Sequence, residues 1–317
     1  MVSLCTNGRL GFSCGPETLM QADMIQILVE RILLLIAVIV GLGIIGSSAN
    51  ADPRASSNAH TGAGAGERAG AGAGANLSAD EQCNKPVYLT LDTGNMASAE
   101  LIASILRKHQ VKASFFLANE RTPFGNFSLD DEWADYWRAR VREGHAFGNH
   151  SFDHVYFPMP SGSGGDPSGR LIKVRPQFGA SAGKTIHWSQ EQLCGELDRV
   201  ARRFEQLTGT KLGYWWRAPG GRAPSNVFDA AERCGYRHVY WASAGFLGDE
   251  LPSDRFSNAQ LVKKALETIR PGDILMAHLG IWSRKEVFAP SLDPLILGLK
   301  HKGFCFRTLR EHPVLAR

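Results

Sequence analysis

A chain of 317 residues with 44% hydrophobic and 21% charged side chains has the apolar mass for one large core, and that balance excludes wholesale disorder. Its formal charge of +4 comes from Lys and Arg scattered along the chain rather than gathered in the basic stripe of a nucleic-acid interface, so nucleic acid is excluded as a partner.

Residues 1–23 have no periodic pattern, and Met24 is expected to be the true start. From Met24 the chain runs through the charged opening MIQILVER, the apolar stretch ILLLIAVIVGLGII and the small residues Ala49-Asn50-Ala51, the layout of a secretory signal. The signal region therefore covers 1–51 and implies a periplasmic or secreted product. If it is not cleaved, the apolar run at 32–45 leaves a membrane tether, although it falls short of the ~20 residues of a spanning helix. Residues 52–82, rich in Gly and Ala (AHTGAGAGERAGAGAGANLSAD), lack the apolar mass to offset ordering and are expected to form a flexible linker. The domain proper spans 83–317. It carries Cys83, Cys194, Cys234 and Cys305, an even number in an oxidising compartment. The layout favours Cys194–Cys234 and Cys83–Cys305 over the other pairings, with four buried thiols as the alternative.

From residue 86 short apolar runs alternate with helical patterns. VYLTL at 87–91 reads as a strand, the following ASAELIASILRKH as a helix, VKASFFLA at 111–118 as a strand, 131–143 as a helix and HAFGN as a strand. After a long insertion come a helix at 189–208, strand LGYWW, a helix near 225–234, strand RHVYW, a helix at 258–269, strand DILMA, a helix at 290–301 and strand FCFRT. About seven such units predict an α/β fold, a distorted (β/α) barrel of about seven to eight units, with chemistry at the C-terminal ends of its strands. The insertion at 155–188 is too long for an ordinary βα loop and reads either as a wall over the active site or as a surface excursion.

Polar residues stand just past those apolar runs. Asp92 follows VYLTL, His150 and His154 follow HAFGN, Arg217 follows LGYWW, and His278 follows DILMA. Singly each has a plain structural explanation, a helix cap for Asp92 or a hydrogen-bonded core residue for His278. Together they converge on one mouth. The i, i+4 spacing of His150 and His154 would place two imidazoles on one helical face, which suits a zinc-type ion.

The order and context of these residues resemble the polysaccharide deacetylases of the NodB-homology group, carbohydrate esterase family four. Thr90-Leu91-Asp92-Thr93-Gly94 is similar to T-F-D-D-G, His150-Ser151-Phe152-Asp153-His154 to H-[ST]-x-x-H, Arg217-Ala218-Pro219-Gly220-Gly221 to R-x-P-x-G, and Ile274-Leu275-Met276-Ala277-His278 to the late I-L-x-x-H motif. The resemblance implies a divalent metal ion, zinc by default, held by His150 and His154. It makes Asp92 the general base, His278 the acid and Arg217 the residue that positions Asp92. Pro219 and Gly220, with Trp282, are the candidate substrate contacts, and Tyr156, Phe157, Trp188, Trp215, Trp216 and Trp241 are further aromatic residues able to stack on sugar rings, although most aromatics in such a number are expected in the core. One departure is plain: the second Asp of T-F-D-D-G, the expected metal ligand, is Thr93, and a neutral hydroxyl is a poor ligand for such an ion. Asp153, Asp92 or water is left to complete the shell, and the alternative is a site that binds metal weakly or not at all. Asp249, in the segment 241–249, is the candidate to orient Arg217.

The implied function is removal of N-acetyl groups from an N-acetylated glycan. An amidase acting on a small amide is a chemical variant. A glycan-binding relic that kept the barrel and lost its metal shell is the non-enzymatic alternative.

Overall fold

The computed structural model describes residues 83–159 and 171–316. The signal region and linker expected at 1–82 lie outside the described residues, as does part of the insertion. In chain order the first elements are β1 (Pro86–Asp92), α1 (Ala99–Lys108), β2 (Ser114–Leu117), α2 (Ala134–Arg142) and β3 (Ala146–Asn149). The insertion follows as β4 (Val155–Tyr156), β5 (Ile172–Pro176) and β6 (Ile186–Trp188), and then come α3 (Gln190–Thr208), β7 (Trp215–Trp216), α4 (Ser225–Arg233) and β8 (Arg237–His238). The last elements are α5 (Asn258–Thr268), β9 (Ile274–His278), α6 (Leu292–His301) and β10 (Cys305–Phe306).

Seven of these strands form one parallel sheet in the order β10-β1-β2-β3-β7-β8, with β9 also paired to β1. Its central strands read as continuous apolar runs because helices cover one face and the curled sheet fills its own interior. In β1 every residue after Pro86 is buried. The stretch after β8 closes the curl, since Val239 N–H donates to Trp216 O at 2.8 Å while Ala242 and Leu247 N–H groups donate to Ile274 O and Met276 O of β9 at 3.0 and 3.2 Å. The result is the expected distorted barrel.

The helices form where apolar residues recur at helical spacing. Ile102, Ala103, Ile105 and Leu106 give α1 one buried face. A capping box of Ser189 and Gln192 starts α3, and Gly209 at φ 73° ends it. Strands predicted at 212–216, 237–241 and 304–308 each shorten to a two-residue ladder. Beyond Trp215–Trp216 the chain is held by single backbone bonds, from Gly213 to Phe147 O and from Arg217 to Asn149 O.

Two disulfides form. Cys83–Cys305 joins the start of β1 to β10 (Cα–Cα 5.8 Å), and Cys194–Cys234 joins α3 to the residue after α4 (5.3 Å). The described part of the insertion is an antiparallel three-stranded sheet. Val155, Phe157, Ile172 and Val174 pack it against Leu193 and Leu197 of α3 and against Trp216, so β4 to β6 are a wall beside the barrel mouth rather than a loose excursion.

Candidate active site

Parallel pairing sets the site. In the β1–β9 ladder Asp92 stands opposite His278, and in the β3–β7 ladder Asn149 stands opposite Trp216, which puts His150 and Arg217 side by side one residue later. Four strand ends thus deliver four candidate side chains to one mouth, where such barrels carry their chemistry. Two loops cross directly beneath. A Cβ on Gly94 (φ 54°) would lie 2.2 Å from Gly280 O, so only glycine lets the β1 and β9 loops approach this closely.

Arg217 is fully buried. Its Nη1 donates to Asp92 Oδ1 at 2.7 Å and to Thr90 Oγ1 at 2.9 Å, and its Nε donates to Val239 O at 3.2 Å. The guanidinium carbon lies 4.1 Å from the Phe116 ring centre. Burial alone would raise the Asp92 carboxyl, but the charges of Arg217, His150 and His278 and the Arg217 hydrogen bond outweigh it and hold the group below its ordinary value. Asp92 is therefore ionised across the physiological range.

His278 is its counterpart. Burial opposes charging the ring, yet Asp249 is bonded to it, Asp92 and Glu250 add negative charge nearby, and together they push it up to about 10. Asp249 Oδ1 and Oδ2 lie 3.1 and 3.2 Å from His278 Nδ1, and Oδ2 accepts the His278 backbone N–H at 2.7 Å. This corrects the expectation that Asp249 orients Arg217: the carboxylate that Arg217 meets is Asp92, and Asp249 belongs to His278.

His150 and His154 do come together, with ring centres 5.0 Å apart, but not on a helix. Ser151 (φ 58°) and His154 (φ 47°) adopt left-handed backbone. Local side-chain bonds outcompete helical ones: Asn149 Oδ1 accepts from Ser151 N–H, and Ser151 Oγ accepts from Val155 N–H at 2.8 Å. His150 Nδ1 lies 2.9 Å from Arg217 O. A carbonyl only accepts, so Nδ1 carries the proton and Nε2 presents its lone pair, 3.7 Å from Asp92 Oδ2. His154 Nδ1 is buried with no partner among the described residues.

The position expected to hold a metal carboxylate holds a different arrangement. Thr93 Oγ1 donates to Glu120 Oε1 at 2.6 Å, Gly94 N–H donates to the same oxygen at 2.8 Å, and Ala118 N–H donates to the Thr93 hydroxyl at 3.2 Å. Glu120 was not singled out from the sequence, although it stands three residues past the buried strand SFFL, much as His150 and Arg217 stand just past theirs. Asp153 is turned outward to Arg199 Nη1 at 2.9 Å, which removes it from any metal shell. Two imidazoles with available nitrogens are the donor chemistry of a zinc-type site. Among the described residues, however, no three His, Cys, Asp or Glu side chains are gathered closely enough to share an ion.

The candidate substrate contacts divide. Pro219 is buried, whereas Gly220 is exposed and faces Tyr156, where an added Cβ would sit 3.2 Å from that ring. Trp282, after β9, is 63% exposed, and Tyr156, 5.2 Å from the His154 ring, is 40% exposed. Phe157, Trp215 and Trp216 are buried in the core and are removed from the sugar-stacking set.

Opposed pKa shifts give a pH signature. Burial lowers His145 and His150 to about 4 and His238 to about 3, so all three fold as neutral rings. Unfolding returns them to roughly 6.5. The unfolded chain then binds more protons as pH falls below about 6.5, and stability drops. His278 has the opposite sign: its stabilising charge is fully present below about 6.5 and is lost as pH climbs towards 10. Urea melts should therefore show greatest stability near neutral pH with a decline on both sides; a flat profile between about pH 5 and 9 would contradict these assignments.

Comparison with known proteins points in one direction. A family model described as polysaccharide deacetylase matches residues 79–239. The chain is 26% identical over 231 residues to the peptidoglycan-N-acetylmuramic acid deacetylase PdaA of Bacillus subtilis, covering 72% of this chain and 71% of that one. It is 25% identical over 239 residues to a chitooligosaccharide deacetylase of Azorhizobium caulinodans, covering 72% and 94%. Among solved structures it resembles a family 4 acetyl xylan esterase from Clostridium thermocellum in complex with a cobalt ion (TM-score 0.53, 22% identity, 73% and 91% covered). It also resembles a CE4 family pseudoenzyme from Bacillus anthracis (TM-score 0.51, 22% identity) across 72% of this chain and 65% of that one. These structural likenesses show a shared fold.

Proposed function

Because the chain belongs to the polysaccharide deacetylase family, we propose that it is an exported, metal-assisted hydrolase that removes N-acetyl groups from an N-acetylated glycan such as peptidoglycan or chitin fragments. The observation that carries this reading is the pairing of two neighbours: Asp92, bonded by Arg217, stands opposite His278, bonded to Asp249, an arrangement that favours an ionised carboxylate beside a protonated imidazole. Amide hydrolysis needs a base for water and an acid for the departing nitrogen, and this pair supplies both.

Asp92 takes a proton as water oxygen bonds to the acetyl carbon. His278 gives its proton to the sugar nitrogen as the C–N bond breaks, leaving acetate and a free amine. Arg217 positions Asp92 and does not touch substrate. A backbone N–H of the 217–221 loop is the donor assigned to the oxyanion, and Gly220, Tyr156 and Trp282 are assigned to the sugar. His150 and His154 would hold a divalent ion, zinc by default, which would polarise the carbonyl and make the attacking water easier to deprotonate. Export is supported by the signal pattern at 24–51 and by the two disulfides, which persist in oxidising compartments.

Thr93 favours a second reading, a glycan-binding relic without catalysis. Incubation with N-acetylglucosamine oligomers and with peptidoglycan separates the two. Free amino groups on the product glycan are expected, and binding without them on every substrate would overturn the hydrolase reading.

A further inference from the structure

Arg284, on the loop that leaves β9, takes no part in the machinery assigned above, yet it is only 7% exposed. Burying a guanidinium is costly unless a carboxylate offsets it. Among the described residues its one ion-pair contact is Glu286 Oε2, 3.7 Å from Nη2, and that oxygen already accepts the Asn258 N–H at 3.0 Å. The guanidinium is spent instead on neutral oxygens of the loop between β8 and α5. Its Nη1 donates to Leu251 O at 2.5 Å, and its Nη2 donates to Phe256 O at 2.9 Å and to Asn258 Oδ1 at 2.5 Å. Asn258 Nδ2 to Val287 O at 2.8 Å and Glu286 N–H to Ser253 Oγ at 3.2 Å lace the same two loops together. The segment gripped in this way carries Asp249. Leu251 N–H donates to Gly248 O at 3.0 Å and closes a turn with Asp249 inside it. That turn has two anchors: Leu247 N–H on Met276 O of β9 before it, and Arg284 on Leu251 O after it. Arg284, Asp249 and His278 also line one small cavity.

We propose that Arg284 is a positioning residue for the acid: its hold on Leu251, Phe256 and Asn258 fixes the Asp249 turn against β9, so that the carboxylate keeps its place on His278. The inference rests on the reading of His278 as the acid. Arg284 acts through geometry and not through its charge. A cation close to His278 would favour the neutral ring, whereas the fork secures the carboxylate that favours the charged one. Three acceptors on one planar group also explain why the residue is arginine, since the single ammonium of lysine has no such fork.

Titration of the His278 ring, followed by NMR on the whole chain labelled with nitrogen-15 histidine, tests this without any need for catalysis. The charged groups around that ring are Asp249, Asp92 and Glu250, and the first variant alters none of them. Arg284→Lys keeps the cation and loses the fork. Its His278 is expected to release its proton about one pH unit or more below the wild-type midpoint of about 10. A role in charge or in stability alone would leave that midpoint in place. In an Asp249→Asn background the same substitution is expected to add no further shift, because the group through which it acts is already gone. Asn258→Ala removes one of the three acceptors and is expected to move the midpoint the same way by less; it carries the test if Arg284→Lys does not fold. An unmoved midpoint in the folded variants, or a shift as large in the Asp249→Asn background as in wild type, overturns the role of Arg284. A moved midpoint in a chain that releases no acetate from any glycan supports the positioning role and overturns only the hydrolase reading.

Discussion

Asp92→Asn is expected to lower acetate release by about a hundredfold to ten-thousandfold, the usual cost of losing one general base. Asn keeps an oxygen to accept the Arg217 hydrogen bond, so the side chain stays in place and only its charge and basicity go. The same change leaves Arg217 buried without a counter-ion. Breaking a buried pair typically costs about 3–5 kcal/mol, so the variant should also melt earlier, and its rate must be measured where it is still folded. Cobalt binding should survive, because no imidazole is removed. A variant that keeps more than about a tenth of the wild-type rate would show that Asp92 is not the base.

His278→Ala is expected to fall as far, for the opposite reason: the departing sugar nitrogen has no proton donor. Asp249→Asn refines the assignment. With Asp249 ionised, His278 stays protonated up to about 10, so the alkaline limb of the rate profile in wild type should lie near that value. Asp249 is the leading cause that raises His278 against its burial, so removing its charge should move the limb to lower pH. Above the shifted limb the variant loses activity that wild type retains; below it the rates should converge. An alkaline limb that does not move in Asp249→Asn would separate His278 from the proton-transfer step.

Much of the barrel was readable because its parallel strands are buried on both faces and so appear as apolar runs. VYLTL and ILMA need no partner to be recognised, and the polar residue after each, Asp92 and His278, is conspicuous for that reason. Placing the two side by side needed the ladder that pairs β1 with β9, which joins residues far apart in sequence. The histidine pair shows where spacing misleads. An i, i+4 interval fits a helix, but Asn149 and Ser151 hydrogen-bond locally and turn the backbone left-handed, so the rings meet across a turn. Asp249 is visible in the sequence as an acid, but a sequence does not say whether a carboxylate will face Arg217 or His278. Glu120 is not legible in the sequence because SFFLANER offers no pattern that separates it from a surface acid. Only the bonds from Thr93 and Gly94 single it out. Late strands such as Arg237–His238 were overestimated because their aromatic residues pack against other rings rather than extending a ladder: Tyr240 lies 4.2 Å from the His238 ring.

The most direct measurement is the yield of acetate and free amine from N-acetylglucosamine oligomers and from peptidoglycan, with zinc, cobalt and nickel supplied in turn. Wild-type protein should release acetate from at least one of these glycans and expose one amine for each acetate, with both products falling to background in Asp92→Asn and His278→Ala. Glycan binding with no acetate released under any of the three ions would show that this barrel recognises acetylated sugars without hydrolysing them.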